Sequence, residues 1–269
     1  MVELVVPPAD AELAADRLWA AGARAVEEIA DRAGHVRLRT ALASTDALSA
    51  QRIGALPPTW RLGHVDVDDE PATTWREFAN PVRVAADLVI SPAWKLGRHD
   101  TGTTEVAVEP AGSFGLGDHP TTKLAATAAW RLVAAHDQVL DVGCGSGVLA
   151  IVAAKAGARR VVAVDVADAA IEATIDNARR NDVHIVEAST TPIGEVVGDY
   201  DVVLANILAP AIVAMSADLR RVTARGGVLV ISGILATDHQ HVLDALVPME
   251  PVRTEILDGW AAVELRHRR

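Results

Sequence analysis

The chain has 269 residues, half of them hydrophobic and 23% charged, proportions that fit one large or two unequal globular domains and exclude a disordered or collagen-like chain. Its formal net charge of −11 argues against broad nonspecific binding to nucleic acid and leaves room for a basic partner. Aromatic residues are six Trp, two Phe and one Tyr, so the core must be built from Ala, Val, Leu and Ile.

Read in chain order, Val2–Val6 is a short strand ended by Pro7 and Pro8. The stretch 9–21 spaces Leu13, Leu18 and Ala21 as a helix does, and Gly22 stops it. Segments 25–29 and 36–38 are strand-like, Ser44 is placed to cap a helix running to Ile53, and 61–67 is a further strand. That β-α-β-β-α-β order predicts a small ferredoxin-like unit over residues 1–66. An acidic stretch, 67–81, holding Trp75 and Phe78, reads as a linker.

The remainder, 82–269, alternates strands and helices. Strands are expected at 82–84, 88–90, 105–108, 139–142, 161–165, 183–187, 202–206 and 228–232, and helices at 119–133, 148–156, 167–181, 209–222 and 238–246. A final antiparallel hairpin, 254–257 with 261–265, turns at Asp258-Gly259. Such alternation predicts a mostly parallel sheet covered on both faces, with ligands bound where strands end and helices begin. No apolar stretch reaches the ~20 residues of a membrane helix. The N-terminus is unlike a signal peptide, so a cytoplasmic protein is expected.

The strongest chemical signal is Val139-Leu-Asp-Val-Gly-Cys-Gly-Ser-Gly-Val148. An apolar strand delivers Asp141, and Gly143, Gly145 and Gly147 follow at alternate positions before a helix begins. Glycine there permits a positive φ and close approach to a ligand, and the helix start favours an anionic group. Gly145-x-Gly147-x-x-Ala150 also satisfies the dinucleotide fingerprint, with Asp165 standing where a ribose-binding acid belongs. An acid before three alternate glycines is instead the pattern of S-adenosylmethionine methyltransferases, and the chain shows no hydride-transfer constellation. Cys144, the one cysteine, forms no intrachain disulfide and has no histidine base near it in sequence.

Upstream, Glu109-Pro-Ala-Gly-Ser-Phe-Gly-Leu-Gly-Asp-His-Pro-Thr-Thr-Lys123 is a glycine-bearing loop entering a helix. Asp118 or His119 can cap that helix, Pro120 suits its first turn, and Thr121 and Thr122 follow. Downstream, Asn206 ends an apolar strand at the ligand edge, within Asn206-Ile-Leu-Ala209, and Ser232-Gly-Ile-Leu235 closes the next strand.

Together these four motifs resemble the ribosomal protein L-eleven methyltransferase family, in the family's order, from about Trp75 to Trp260. The resemblance implies a Rossmann-like α/β methyltransferase domain of seven strands and a small ferredoxin-like substrate-recognition domain. It implies S-adenosyl-L-methionine as cofactor, and methylation of lysine side chains or the N-terminus of that ribosomal protein by a monomer. No direct nucleic-acid or membrane binding is expected. Carried over by position, the cofactor contacts fall on Thr122, Gly143, Asp165 and Asn206. Asp141, Gly145, Gly147, Gly115 and Phe114 are expected to line the same site, Phe114 as a wall. Asn206 and His119 are expected beside the reacting amine. The family has Gly-Thr-Gly where this chain has Gly115-Leu116-Gly117. Two other readings stay open: a methyltransferase for another protein's lysine or a small amine, and a non-catalytic cofactor-binding relative.

Overall fold

The computed structural model describes residues 2–21, 23, 26–30, 34–40, 56–64, 79–97, 99–109 and 117–268. The chain divides into two compact units, Met1–Phe78 and Ala79–Arg269.

In the first unit, β1 (Val2–Val6) alternates buried Val2, Leu4 and Val6 with the half-buried Glu3 and Val5, the period-two pattern of a sheet covered on one face. A short 3-10 turn (Pro8–Asp10) leads into α1 (Ala11–Ala20), whose Ala14 and Leu18 are buried. With β2 (Glu27–Ala30), β3 (Val36–Thr40) and β4 (Arg61–His64), β1 forms an antiparallel sheet in the order β2-β3-β1-β4. Inserting β3 between β1 and β2 makes the split β-α-β of a ferredoxin-like unit. Trp60 closes the core from the β4 side: its indole N–H donates to Asp10 at 2.9 Å, and the Arg17 guanidinium lies 5.1 Å over the ring. The helix expected over 44–53, the end of the 61–67 strand, and Trp75 and Phe78 lie outside the described residues.

The second unit begins with β5 (Val82–Ala85), β6 (Leu88–Pro92) and β7 (Thr104–Val108), which form their own three-stranded sheet rather than joining the main one. Next come α2 (Pro120–Leu132), β8 (Gln138–Val142), α3 (Val148–Lys155), β9 (Arg160–Val164), α4 (Asp168–Arg180), β10 (Glu187–Ser189) and β11 (Tyr200–Asn206). The chain ends with α5 (Ala209–Ala214), α6 (Ser216–Val222), β12 (Thr223–Leu235), α7 (Gln240–Ala245), β13 (Met249–Leu257) and β14 (Trp260–His267). The main sheet has seven strands in the order β10-β9-β8-β11-β12-β14-β13. It is parallel from β10 to β12, and β14 runs antiparallel to both β12 and β13. This is a Rossmann-like sheet. From β8 the chain winds outward to β9 and β10 and then returns to β11 on the other flank. The switch point, where such sheets hold ligands, therefore lies beyond the ends of β8 and β11.

Apolar cores cover both faces. One packs α3, buried from Val148 to Ala153, against β6 and β7; the other gathers Ile212, Leu219 and Val242 from α5, α6 and α7. Two asparagines of this second unit act as ladder partners. Asn181 exchanges hydrogen bonds with the Ala107 backbone at 2.8 and 2.7 Å, and Asn177 does so with Glu109 at 2.9 and 2.8 Å. The buried edge of β7 is thus satisfied by side-chain amides.

Three expected elements need correction. Residues 183–186 are not a strand: Asp182 turns left-handed (φ 51°), Val183 N–H bonds back to Ala178, and pairing with β9 begins at Glu187. The helix expected over 209–222 is two helices that meet at Met215, whose ψ of 7° interrupts the regular helix. The strand expected at 228–232 extends over the whole of β12, because Thr223 already pairs with Tyr200. The final hairpin turns through Asp258 and Gly259, both with positive φ, as a two-residue turn requires. Among the described residues no helix is long and apolar enough to cross a membrane.

Candidate active site

β8 carries Asp141 to the sheet edge and buries it almost completely. Its Oδ2 accepts from the Ala150 N–H at 2.9 Å, while Oδ1 is buried without a hydrogen-bond partner. Burial pushes the carboxyl up to about 7; the Ala150 N–H opposes the rise and the charge of Asp165 adds to it. A buried acceptor with nothing bonded to it is costly unless a ligand supplies a donor.

The loop after Asp141 turns on glycine φ values of 72° at Gly143, 54° at Gly145 and 78° at Gly147. A Cβ at Gly143 would lie 2.3 Å from Ile207 Cγ2, and one at Gly147 would lie 2.9 Å from the Thr174 backbone. Glycine is therefore demanded twice, by dihedral and by space. Val164 O accepts from the Gly143 and Cys144 N–H groups, and Asp165 Oδ2 accepts from Gly145 N–H at 3.0 Å. Asp165 Oδ1 accepts from Ala167 N–H at 3.0 Å, so each carboxylate oxygen keeps a lone pair for a further donor. Next to it Val166 stands 96% exposed, an apolar surface at the sheet edge that the motif reading passed over. Cys144 is buried, and burial followed by the nearby Asp141 pushes its thiol far above the usual range. It is a packing residue and no nucleophile.

Across the switch point, His119 caps α2, which settles the choice between Asp118 and His119. Its Nδ1 accepts from Thr121 N–H at 3.4 Å and lies 2.8 Å from Thr121 Oγ1. Burial holds its pKa below the usual histidine value; Asp118 opposes this and Lys123 adds to it. The ring meets Trp260 edge to face, 5.1 Å between centroids. Thr122 is fully buried, and its Oγ1 accepts from Asn206 Nδ2 at 3.4 Å. Ile207 packs against Gly143, and its N–H donates to Ser232 O at 3.2 Å.

Of the expected residues, Asp141, Gly143, Gly145, Gly147 and Asp165 form one cradle, and His119, Thr122 and Asn206 form a second cluster joined to it through Ile207. Phe114, Gly115 and Leu116 lie outside the described residues. Trp260 was not singled out as a site residue from the sequence; the signal that finds it is the Asp258-Gly259 turn, which starts the antiparallel β14 at the ligand edge. A groove of about 150 Å³ on α4, lined by Glu109, Glu172, Asp176 and Arg180, contains none of these residues.

The cradle fits an adenosyl cofactor on three counts: a glycine loop with no room for Cβ atoms, the orphaned acceptor of Asp141, and an acid at the second strand with lone pairs for two hydroxyls.

A family model for ribosomal protein L11 methyltransferases matches residues 5–268. The ribosomal protein L11 methyltransferase of Symbiobacterium thermophilum is 34% identical over 96% of this chain and 82% of its own length. That of Geobacter metallireducens is 42% identical over 67% of this chain, and the match spans 60% of that relative's length. The ribosomal protein L11 methylase of Lactobacillus delbrueckii subsp. bulgaricus superposes with a TM-score of 0.66 at 27% identity, over 71% of this chain and 100% of that one. With the glycine cradle, the second-strand acid and the Asn206 edge in one Rossmann-like sheet, the chain belongs to the ribosomal protein L11 methyltransferase family.

Proposed function

We propose that the protein transfers methyl groups from S-adenosyl-L-methionine to amino groups of ribosomal protein L11, on lysine side chains or the N-terminus. The observation that carries the reading is the cradle: Asp165 is tied to the glycine loop through Gly145 N–H yet keeps acceptor capacity on both oxygens. That is what two ribose hydroxyls need. When bound, the cofactor would supply a sulfonium-activated methyl group for transfer to the lone pair of a neutral amine.

The chain's own residues bind and orient. Asp165 receives the ribose hydroxyls, and Gly143, Gly145 and Gly147 let the backbone approach the cofactor. Phe114 and Gly115, outside the described residues, are assigned to the same cofactor site. Asn206, held against Thr122, orients the methyl-bearing end and the amine, so that donor and acceptor meet in line. An unperturbed lysine has a pKa of about 10.4 and must lose its proton before it reacts. Burial lowers the pKa of His119 and so disfavours a positive charge on that ring beside the amine.

The small N-terminal unit, 1–66, is assigned substrate recognition, 67–81 the linker and 82–269 catalysis. The enzyme acts as a cytoplasmic monomer without direct contact to nucleic acid, and its −11 charge suits a basic acceptor.

The test offers purified ribosomal protein L11 and small amines side by side with the cofactor and follows intact mass. Gains in whole methyl steps on the ribosomal protein support the reading. Methylation of the small amines alone, or cofactor binding without turnover, would replace it.

A further inference from the structure

We infer that Ser232 is a positioning residue that holds the two walls of the amine-side cluster in register. The inference rests on the reading of Thr122 and Asn206 given above.

Ser232 sits at the end of the β11–β12 ladder, opposite Asn206. It is fully buried, and its hydroxyl is shared between two carbonyls from different elements: Thr121 O in the first turn of α2 and Ala261 O in β14, each at 3.2 Å. A hydroxyl has one proton to donate, so this one group serves both partners. Thr121 lies between the ring of His119, one side, and Thr122, the other. Ala261 follows Trp260, whose ring touches His119. The Ser232 carbonyl accepts from the N–H of Ile207, the residue directly after Asn206.

The backbone around Ser232 is built to allow this. The β12–β14 register shifts between Ile231 and Ile234. Within that irregularity Gly233 has φ 87°, and a Cβ there would lie 2.4 Å from Ile207 O. The bulge brings the Ser232 side chain to α2 while pressing its backbone against the Asn206-Ile207 turn. One buried hydroxyl thereby touches α2 and β14 while its own backbone holds the Asn206 turn. At 3.4 Å the Asn206–Thr122 contact is longer than the usual N–H···O bond, so a small shift of the α2 turn would break it.

The test measures cofactor affinity by calorimetry and turnover in full-length Ser232→Ala, Ser232→Cys, Ser232→Thr, Thr122→Val and the Ser232→Ala/Thr122→Val pair, with thermal unfolding alongside. One net hydrogen bond corresponds to about a 2- to 10-fold effect. Ser232→Ala is expected to weaken cofactor binding or slow turnover by that factor at temperatures where it is folded. Ser232→Cys, which keeps the shape with a weak donor, should behave likewise, and Ser232→Thr, which keeps the hydroxyl, should recover. In the double variant the two losses should fail to multiply, because both act on the Thr122 contact. Wild-type affinity and turnover in folded Ser232→Ala, or losses that multiply, would overturn the inference. So would loss of folded protein in both Ser232→Ala and Ser232→Cys, since the hydroxyl would then be a requirement of folding. If Thr122→Val itself leaves both cofactor affinity and turnover unchanged, the reading of the site fails instead, whatever Ser232 does.

Discussion

The two halves of the site are made differently. The half at β8 and β9 is short in sequence, from Asp141 to Asp165, and is shaped by backbone: glycine dihedrals, N–H groups and two carboxylates that accept from them. The half at α2, β11, β12 and β14 draws His119, Thr122, Asn206, Ser232 and Trp260 from four separate segments. It is joined by side-chain contacts, among them one hydrogen bond of 3.4 Å. On the proposed function, the difference suggests a division of labour: a backbone-built cradle for the cofactor, and a wall of side chains where the amine would be aligned. Substitutions in the first half should act on cofactor affinity, and those in the second on turnover.

The largest expected effect tests the second half. Asn206→Ala should lower kcat by about 100-fold, the scale of losing orientation at the reacting centre, with the protein still folded. Rapid-quench turnover at saturating cofactor measures it, and a kcat within about threefold of wild type would put the orienting role elsewhere.

In the first half, Asp165→Ala should cost about 1.5–3 kcal/mol of cofactor binding, the range of a charged hydrogen bond. Calorimetry reads this as a Kd raised by about 10- to 150-fold. A comparable loss in kcat at saturation would erase the distinction between the halves.

How visible each half is in sequence follows from the same contrast. The cradle is local, so alternating glycines and an acid at the end of the next strand announce it. Thr122 and Asn206 carry no such local signature, and only the order of four motifs points to them. Ser232 and Trp260 are ordinary strand residues until a register shift and a hairpin aim them at α2. The fold divides similarly. The β-α alternation is written in period and punctuation. The late start of β10 depends on the left-handed Asp182, and the break at Met215 on how Ile212 and Leu219 are both buried beneath it, which are tertiary facts.

Asp141 gives a pH signature for the cradle. Its folded-state pKa of about 7 stands above the ordinary 3.8, so the folded, cofactor-free protein keeps a proton that the unfolded chain gives up. The stability from that proton is full below about pH 4, falls as pH rises to about 7, and is level above. Asp141→Asn, which keeps an acceptor for Ala150, should flatten this slope. It should stabilise the cofactor-free protein above pH 7 by up to about 4 kcal/mol, the equivalent of that displacement. Thermal unfolding across pH 4 to 8 measures it, and parallel curves for the two proteins would contradict the burial argument.

The smallest effect is expected at His119. Asparagine caps helices as well as any residue, so His119→Asn keeps the cap and loses the edge contact to Trp260, worth about 0.5–1.5 kcal/mol. A modest fall in melting temperature and less than about a tenfold loss of turnover should follow. A larger loss would move His119 from the wall of the site to its chemistry.

The most direct measurement is a single turnover on purified ribosomal protein L11, with wild type and Asn206→Ala each preloaded with methyl-labelled cofactor, followed by intact-mass analysis. The wild type should place label on the ribosomal protein in whole methyl steps, and Asn206→Ala should hold the cofactor but transfer little. Unmodified ribosomal protein with active wild-type enzyme, or label recovered in nucleic acid, would contradict the assignment.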